Sequence, residues 1–284
     1  MEKLKLLIPK GRIYEGIVRL MDDAGIRIKL NDRTYRPSVS DDEIEIKVMK
    51  PQNIPKIIEI GSHDAGFTGH DWVMETESDV VEVMDLGLDK VRIIAAIPNH
   101  IGSEELSQRK IVVASEYVNI ATGYLKRRGF QHVLIRTHGA TEVFPPDDAD
   151  MIIDNASTGK TLLENNLKIV DTILESSTCF IAGKAALKDP VKHEKIMQLK
   201  MLFQSVLDAR ERVILEMNVP LDQFQDIIAI LPCMRSPTVS PLHGEQGFAV
   251  KTAVPKSDVS KLIPLLKKKG ATDILEYELR KVIP

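Results

Sequence analysis

The chain has 284 residues, of which 43% are hydrophobic and 28% are charged. Its length allows two or three domains. Because 38 lysines and arginines stand against 41 aspartates and glutamates, the charge argues against a nucleic-acid binder with a basic face. No segment has the 18 or so continuous apolar residues of a membrane span.

The N-terminus and the cysteines predict the cellular location of the protein. The first residues pass directly into a strand pattern, so we expect no signal peptide. Cys179 and Cys233 are far apart in the sequence, as is typical of proteins in a reducing cytoplasm. The seven histidines show no spacing that is typical of a zinc site. We therefore predict a cytoplasmic protein without a dedicated zinc site.

The first ninety residues predict alternating strands and helices. Apolar residues recur at helical spacing after residue 12 until Gly25, and a second helix begins after Asn53 and ends at Gly61. Strands are predicted at residues 3–8, 27–30, 43–48 and 80–86. This alternation favours an α/β layered fold.

The middle of the chain predicts a second α/β block. Its helix, residues 117–128, ends in the basic run before Gly129, where cations suit the helix dipole. A short helix is predicted at residues 161–167 and a long one from residue 190. The predicted strands are residues 91–97, 111–114, 133–136, 151–153 and a returning strand at 178–182.

The C-terminal segment predicts a separate module. A strand at residues 213–217 is followed by a helix at 221–228, and Ser257 is the expected N-cap of a helix that ends at Gly270. Further strands are predicted near Ile230 and at residues 248–254 and 273–282. The order βαββαβ is typical of a ferredoxin-like domain.

These elements predict an α/β protein with three parts. Two α/β lobes, as in periplasmic binding proteins, flank a cleft, which is a common place for a small-molecule site. Lobe I comprises residues 1–90 and 180–211, lobe II residues 91–179, and the ferredoxin-like domain residues 212–284.

Residues 151–162 form the most informative segment. An apolar strand leads to Asp154 and Asn155, and a helical pattern follows. Free backbone N–H groups and hydroxyls at such a junction can hold a phosphate, while an acid can face a sugar or its metal. The segment therefore predicts a binding site for a phosphorylated sugar. The candidate residues are Asp154, Asn155, Ala156, Ser157, Thr158, Gly159, Lys160 and Thr161.

An ATP-binding P-loop is the nearest competing interpretation. Its last three positions match Gly159 to Thr161, but Asp154 stands where the pattern requires its first glycine. The segment instead resembles the phosphoribosyl-pyrophosphate loop of phosphoribosyltransferases, with Asn155 in place of a second acid. An ordinary polar strand-to-helix turn is the structural alternative.

Three further segments carry candidate ligand-binding residues. Lys10, Gly11 and Arg12 place two cations between a strand and a helix, where an anion is favoured. A solvated loop with two surface cations is the alternative. The second segment offers Asp64, Thr68, Gly69 and Asp71. The third offers Glu142, which lies twelve residues before Asp154, and an exposed loop carboxylate is its alternative.

Taken together, these segments resemble the ATP phosphoribosyltransferase family. The matching segments are PKGR at 9–12, D-x-G-x-x-G-x-D at 64–71, D-x-x-S-T-G-x-T-L at 154–162, an altered A-T-x-Y-P-N at 114–119, and a tail at 236–242. The resemblance covers essentially the whole chain and is to the long form with a C-terminal regulatory domain.

The resemblance implies an enzyme of histidine biosynthesis. It would join ATP to 5-phosphoribosyl 1-pyrophosphate with Mg²⁺, and would release pyrophosphate and N1-(5-phosphoribosyl)-ATP. Residues 154–161 and Glu142 would hold the sugar phosphate. Lys10, Gly11, Arg12, Asp64, Thr68, Gly69 and Asp71 would bind ATP.

The resemblance also implies regulation and assembly. The C-terminal domain would bind histidine as a feedback inhibitor near Asn218, Thr238 and Asp273, and the chain would assemble as a homo-oligomer, a dimer or hexamer. Two alternatives are a two-lobed binding protein without catalysis and a phosphoribosyltransferase that acts on a free base.

Overall fold

The computed structural model describes residues 3–29, 35–157, 159–244 and 246–283. Thr158 and the end of the strand predicted at residues 27–30 therefore lie outside the described residues. The chain forms two compact units. The first comprises Met1–Arg19 and Ile26–Lys200, and the second Leu20–Gly25 and Met201–Pro284.

A mixed eight-stranded sheet organises the first unit, in the order β4-β1-β5-β10-β6-β9-β7-β8, and β2 pairs with β3 beside it. The strands are β1 (Leu4–Pro9), β2 (Ile28–Lys29), β3 (Ser38–Val39), β4 (Ile44–Met49), β5 (Ala65–Gly69), β6 (Val80–Pro98), β7 (Ile111–Ser115), β8 (His132–Arg136), β9 (Met151–Ala156) and β10 (Leu167–Gly183).

Helices connect these strands. They are α1 (Arg12–Ala24), α2 (Ile54–Glu59), α3 (His70–Thr76), α4 (Ser103–Leu106), α5 (Val118–Arg128), α6 (Lys160–Glu164), α7 (Lys184–Lys188) and α8 (Pro190–Arg210). Gly25 and Gly129 follow α1 and α5 with positive φ, as the sequence predicts for residues that end a helix. Asn53 precedes α2, but its side chain makes no cap hydrogen bond to the described helix.

Two parallel three-stranded groups form the two lobes. In one group β1 pairs with β4 and β5, and in the other β7 pairs with β8 and β9. The long strands β6 and β10 run antiparallel to each other between the groups. Two α/β lobes flanking a cleft are therefore confirmed as the fold.

The long strands differ from their sequence-based prediction. Residues 80–86 and 91–97 belong to the single strand β6, and the predicted returning strand is only the end of β10. The first half of β10 is largely exposed or half-buried and contains many polar residues. Because the apolar alternation is weak there, its strand character depends on pairing with β6.

The second unit contains a four-stranded antiparallel sheet in the order β12-β13-β11-β14. With α9 and α10 it completes the predicted ferredoxin-like βαββαβ order. Its elements are β11 (Arg212–Val219), α9 (Phe224–Ile228), β12 (Thr238–Pro241), β13 (Phe248–Pro255), α10 (Val259–Lys268) and β14 (Thr272–Glu278).

Two local predictions in this unit are wrong. Ile230 lies in the turn that ends α9, where its N–H donates to the carbonyl of Ile227, and the second strand begins only at Thr238. Asp258, rather than Ser257, precedes α10, because a 3₁₀ turn at Lys256–Asp258 comes before the helix.

No helix in the described part of the chain combines the length and the apolar composition that crossing a bilayer requires.

The close contact between β1 and β5 gives a test of the fold. A Cβ atom on Gly66 would lie 2.8 Å from both the Cβ and the carbonyl oxygen of Leu7. We expect Gly66→Ala to lower the free energy of unfolding by about 1–3 kcal/mol through overpacking. Gly123→Ala is the control, because its nearest neighbour lies 3.6 Å away in helix α5, and it should stabilise by about 1 kcal/mol. Urea unfolding measures both, and a neutral Gly66→Ala would contradict this packing.

Candidate functional site

The predicted phosphate-binding segment begins inside a strand. The sequence places the strand end before Asp154, but β9 continues to Ala156, and Asp154 and Asn155 pair with Ile94 and Ile93 of β6. The ladder therefore fixes the backbone of these polar residues. Gly159 follows with φ of 75°, a conformation that favours glycine, and α6 begins at the next residue.

A cavity of about 360 Å³ lies over this segment. Its volume is in the range of small-molecule sites. The described residues of the predicted sugar-phosphate group are brought together here, Glu142 included. The lining residues are Glu116, Gly139, Ala140, Glu142, Ile152, Asp154, Asn155, Ala156, Ser157, Gly159, Lys160, Thr161 and Leu162.

Asp154 has an unusual electrostatic environment. Burial, together with the negative charges of Glu116 and Glu142, raises the pKa of its carboxyl to about 6, although the hydrogen bonds from Thr141 and the Asn155 N–H act in the opposite direction. Three carboxyl groups thus face one cavity. An arrangement of this kind favours a bound divalent cation or a hydrogen-bond donor, either of which offsets the repulsion.

A second cavity of about 170 Å³ collects most of the predicted nucleotide group. Lys10, Arg12, Gly69 and Asp71 line it, and Gly11 forms the turn between the two cations with φ of 95°. Lys10 lies 5.3 Å above the ring of Tyr35. These two cations can hold an anionic ligand, while Asp71, Asp89 and Glu116 bring negative charge to the same cavity.

Two predicted members of the nucleotide group lie elsewhere. The Asp64 carboxylate accepts the Lys5 N–H at 2.8 Å and pairs with Lys192 at 3.0 Å. Thr68 is fully buried, and its hydroxyl donates to the carbonyl of Pro51. Neither lines the two cavities described above. Asp64 lies directly before β5, and Gly69 is the last residue of that strand. Because the strand is extended, it holds Asp64 away from Gly69 and the cavity.

Hydrogen bonds connect the two cavities. The Tyr117 hydroxyl donates to Asp71 at 2.7 Å, and the Asn155 amide donates to the Tyr117 oxygen at 3.2 Å. The Ser176 hydroxyl donates to the other Asp71 oxygen at 2.7 Å and accepts the Asp71 N–H. Buried Asp71 is thereby satisfied, and it holds residues of both sites in register.

Several members of this group were not selected from the sequence. Glu116 lines both cavities, and Tyr117 stacks on Trp72 with ring centroids 4.6 Å apart. Glu116 and Tyr117 follow β7, so their position after a parallel strand could have identified them. Ser176 gives no such signal, because it lies within β10.

The predicted effector residues are only partly brought together. The Asn218 amide donates to the Asp273 carboxylate at 2.9 Å, which lowers the pKa of Asp273 together with the hydroxyl of Thr272. Thr238 lies on β12, at the opposite edge of the sheet from β14. The structure therefore does not bring Thr238 to the other two within one chain.

Comparisons with known proteins agree along the whole chain. The HisG family model, described as ATP phosphoribosyltransferase, matches residues 50–205, and the HisG C-terminal domain model matches residues 209–281. The ATP phosphoribosyltransferase of Desulforudis audaxviator is 42% identical over 99% of this chain and 100% of its own. That of Chlorobium phaeobacteroides is 41% identical over 99% of this chain and 97% of its own.

A solved structure has a related fold. It is described as the ATP phosphoribosyl transferase (HisG:HisZ) complex from Thermotoga maritima. The match covers 71% of this chain and 98% of that chain, with 25% identity and a TM-score of 0.63.

The raised pKa of Asp154 predicts a pH-dependent stability. Between about pH 4 and 6, native Asp154 keeps a proton that the unfolded chain has lost, so the unfolding free energy falls as the pH rises. The free energy of unfolding of Asp154→Asn, relative to that of the wild type, should therefore grow by about 1–2 kcal/mol from pH 4.5 to 7.5, after allowance for partial solvent exposure.

Asp150→Asn is the control for this titration. Arg109 holds the pKa of Asp150 below its usual value, so its stabilising contribution is lost only as the pH falls below about 4. The difference in the free energy of unfolding between this variant and the wild type should be equal at pH 4.5 and 7.5. Urea unfolding measures both differences, and a flat result for Asp154→Asn would contradict the assignment.

Proposed function

Because the chain belongs to the ATP phosphoribosyltransferase family, we propose that its two connected cavities bind the two substrates of that reaction. The enzyme condenses ATP with 5-phosphoribosyl 1-pyrophosphate to N1-(5-phosphoribosyl)-ATP and pyrophosphate, the first step of histidine biosynthesis. The observation that carries the site proposal is the Asp154–Thr161 cavity joined through Tyr117 to a cationic cavity.

The 360 Å³ cavity is the proposed sugar-phosphate site. Ser157, Lys160 and Thr161 supply hydroxyl and ammonium donors for the 5-phosphate, and Gly159 allows close approach of the backbone. Thr158 belongs to the same proposed loop but lies outside the described residues. Asp154 and Asn155 face the ribose hydroxyls.

The second cavity is the proposed entry for ATP. Lys10 and Arg12 attract its phosphates. A Cβ atom on Gly69 would lie 2.0 Å from the Asp71 carboxylate, so this position has no room for a side chain and lines the cavity without one. Asp64 and Thr68 act on this site only through β5, because their polar atoms are engaged elsewhere.

The carboxyl groups fit a hard divalent cation such as Mg²⁺. Asp154, Glu116 and Glu142 line one cavity, and burial together with their mutual repulsion raises the pKa of Asp154. These residues would hold the ion. When bound, Mg²⁺ neutralises charge on the pyrophosphate leaving group.

The reaction itself requires little of the protein beyond positioning and charge. Adenine N1 has a lone pair, so no general base is needed. Carbon 1 of the ribose develops positive charge as pyrophosphate departs, and the ionised Asp154 carboxylate can stabilise this charge. The Tyr117–Asp71 hydrogen bonds hold the two binding sites in register, and such orientation supplies several kcal/mol of barrier reduction.

Several further properties follow from family membership as proposals. Residues 1–90 with 180–211 and residues 91–179 form the two catalytic lobes, and residues 212–284 form a regulatory domain that binds histidine. The chain works as a homo-oligomer. Two free cysteines and a role in amino-acid biosynthesis support a cytoplasmic location.

A product assay tests the reaction and its alternatives. The protein is incubated with phosphoribosyl pyrophosphate, Mg²⁺ and either ATP or free bases, and the products are identified by mass spectrometry. Phosphoribosyl-ATP is expected. Products from free bases alone would favour the other class of phosphoribosyltransferase, and no product in any mixture would favour a binding protein.

Thr161 tests the phosphate site. We expect Thr161→Ala to weaken phosphoribosyl pyrophosphate binding by about tenfold or more, because a hydrogen bond to a charged group contributes about 1.5–3 kcal/mol. Thr161→Ser keeps the hydroxyl and should retain most of the affinity. Isothermal titration calorimetry measures both, and wild-type affinity in Thr161→Ala would refute this role.

Asp273 tests the effector site. Histidine carries an ammonium group and an imidazole, and the N–H groups of both can donate hydrogen bonds to a carboxylate. We expect histidine to inhibit the wild type and Asp273→Asn to raise the half-inhibitory concentration by about tenfold, within the range of allosteric coupling energies. Glu276→Gln, an exposed acid on the same strand, is the control. If inhibition is unchanged in Asp273→Asn, the carboxylate is not part of the effector site.

A further inference from the structure

A third cavity lies beside the proposed active site. Its volume is about 620 Å³, and it shares Ala156 and Ser157 with the sugar-phosphate cavity but contains none of the three carboxylates proposed for Mg²⁺. Its wall carries His70 from α3, Glu82 from β6 and Cys179 from β10. These three side chains come from separate elements, and the proposed function uses none of them.

The three side chains converge on one point. His70 Nδ1 lies 2.8 Å from Glu82 Oε1, Cys179 Sγ lies 3.4 Å from Glu82 Oε2, and all ligand atoms lie within 4.8 Å of one another. Ligand atoms placed tetrahedrally about 2.0–2.3 Å from an ion are about 3.3–3.7 Å apart. The group is therefore near the size of a metal site.

We propose that His70, Glu82 and Cys179 form a binding site for a borderline-soft divalent metal ion, with Zn²⁺ as the best match. This departs from the prediction, based on histidine spacing, of no dedicated zinc site, because the three residues meet only in the fold. Imidazole, carboxylate and thiolate are the ligands that Zn²⁺ takes in proteins, and a site with three protein ligands leaves a fourth position for water. The adjoining cavity supplies that water and an entry path. Mg²⁺ prefers an all-oxygen shell, so the thiol argues against it.

The Cys179 thiol donates its proton in a hydrogen bond to Glu82 Oε2 at 3.4 Å. On binding, the ion takes the place of that proton, and His70 coordinates through Nδ1 as the Nε2–H tautomer.

An ion at this site would connect three secondary-structure elements next to the proposed active site. His70 follows Gly69 and precedes Asp71, and both of these residues line the cationic cavity. Glu82 and Cys179 lie on the two long strands that continue from one lobe into the other. A bound ion would therefore tie the start of α3, and with it Asp71, to β6 and β10.

Metal titration of the full chain tests the site without substrates. After treatment with a chelator and its removal, the protein is titrated with Zn²⁺ against a chromophoric indicator, and with Co²⁺ by absorption spectroscopy. We expect one Zn²⁺ per chain, a thiolate-to-cobalt charge-transfer band, and a metal-dependent rise in the melting temperature.

Matched variants decide which residues bind the ion. His70→Gln, Glu82→Gln and Cys179→Ser should each weaken Zn²⁺ binding by at least about tenfold, as even the loss of a group that only orients a ligand does. Cys233→Ser replaces the other cysteine, in the second unit, and should leave the affinity and the cobalt band unchanged.

Three outcomes would overturn the proposal: no Zn²⁺ uptake by the wild type, equal affinity in the wild type and all three ligand variants, or a cobalt spectrum without a thiolate band. His70 and Glu82 have side chains that are about one-third exposed, so their variants keep the test decisive if Cys179→Ser does not fold. Because the titration contains neither ATP nor sugar phosphate, its result is independent of the proposed reaction.

Discussion

The antiparallel pairing of β6 with β10 is the constraint on which the catalytic unit depends. The ladder extends from Val80 and Gly183 at one end to Pro98 and Leu167 at the other. Strand β5 adds to the free edge of β10, and β9 adds to the free edge of β6. Each lobe is thus built onto one of the two long strands, and the flanking strands β5 and β9 carry Gly69 and Asp154 near their ends.

The buried carboxylate of Asp71 explains why the two cavities are connected. A charge removed from water must be paired or hydrogen-bonded, or its burial costs several kcal/mol. Asp71 receives hydrogen bonds from Tyr117 and Ser176, and Tyr117 accepts one from Asn155 of the sugar-phosphate loop. A shift of either wall would leave one of these groups without its partner, so the network opposes independent movement of the two sites.

Charge is distributed unequally between the cavities. Lys10 and Arg12 line one together with Asp71, Asp89 and Glu116, while Asp154, Glu116 and Glu142 line the other with Lys160 as its cation. A reaction that joins two polyanions and releases a third requires both cations and a way to tolerate the developing positive charge on the sugar. We propose that the carboxyl cavity serves the sugar and its ion, and that Lys10 and Arg12 of the other cavity serve the phosphates of ATP.

The sequence by itself determined the fold class and the alternation of strands and helices, and it predicted residues 154–161 as a phosphate-binding segment. Apolar periodicity is a local property, so β1, α1, α5, β13 and the ferredoxin-like order could be predicted from neighbouring residues. The resemblance to a family of enzymes likewise depends on short segments such as residues 154–162.

Only the tertiary structure decided how distant residues meet. The strand character of the first half of β10, the contact between Asp71 and Tyr117, and the convergence of His70, Glu82 and Cys179 all join residues far apart in the chain. It also places Asp64 and Thr68 outside the cavity proposed for the nucleotide, where Lys192 and the Pro51 carbonyl are their hydrogen-bond partners. Local periodicity contains no information on such pairings, since burial and hydrogen bonding are set by which elements pack together.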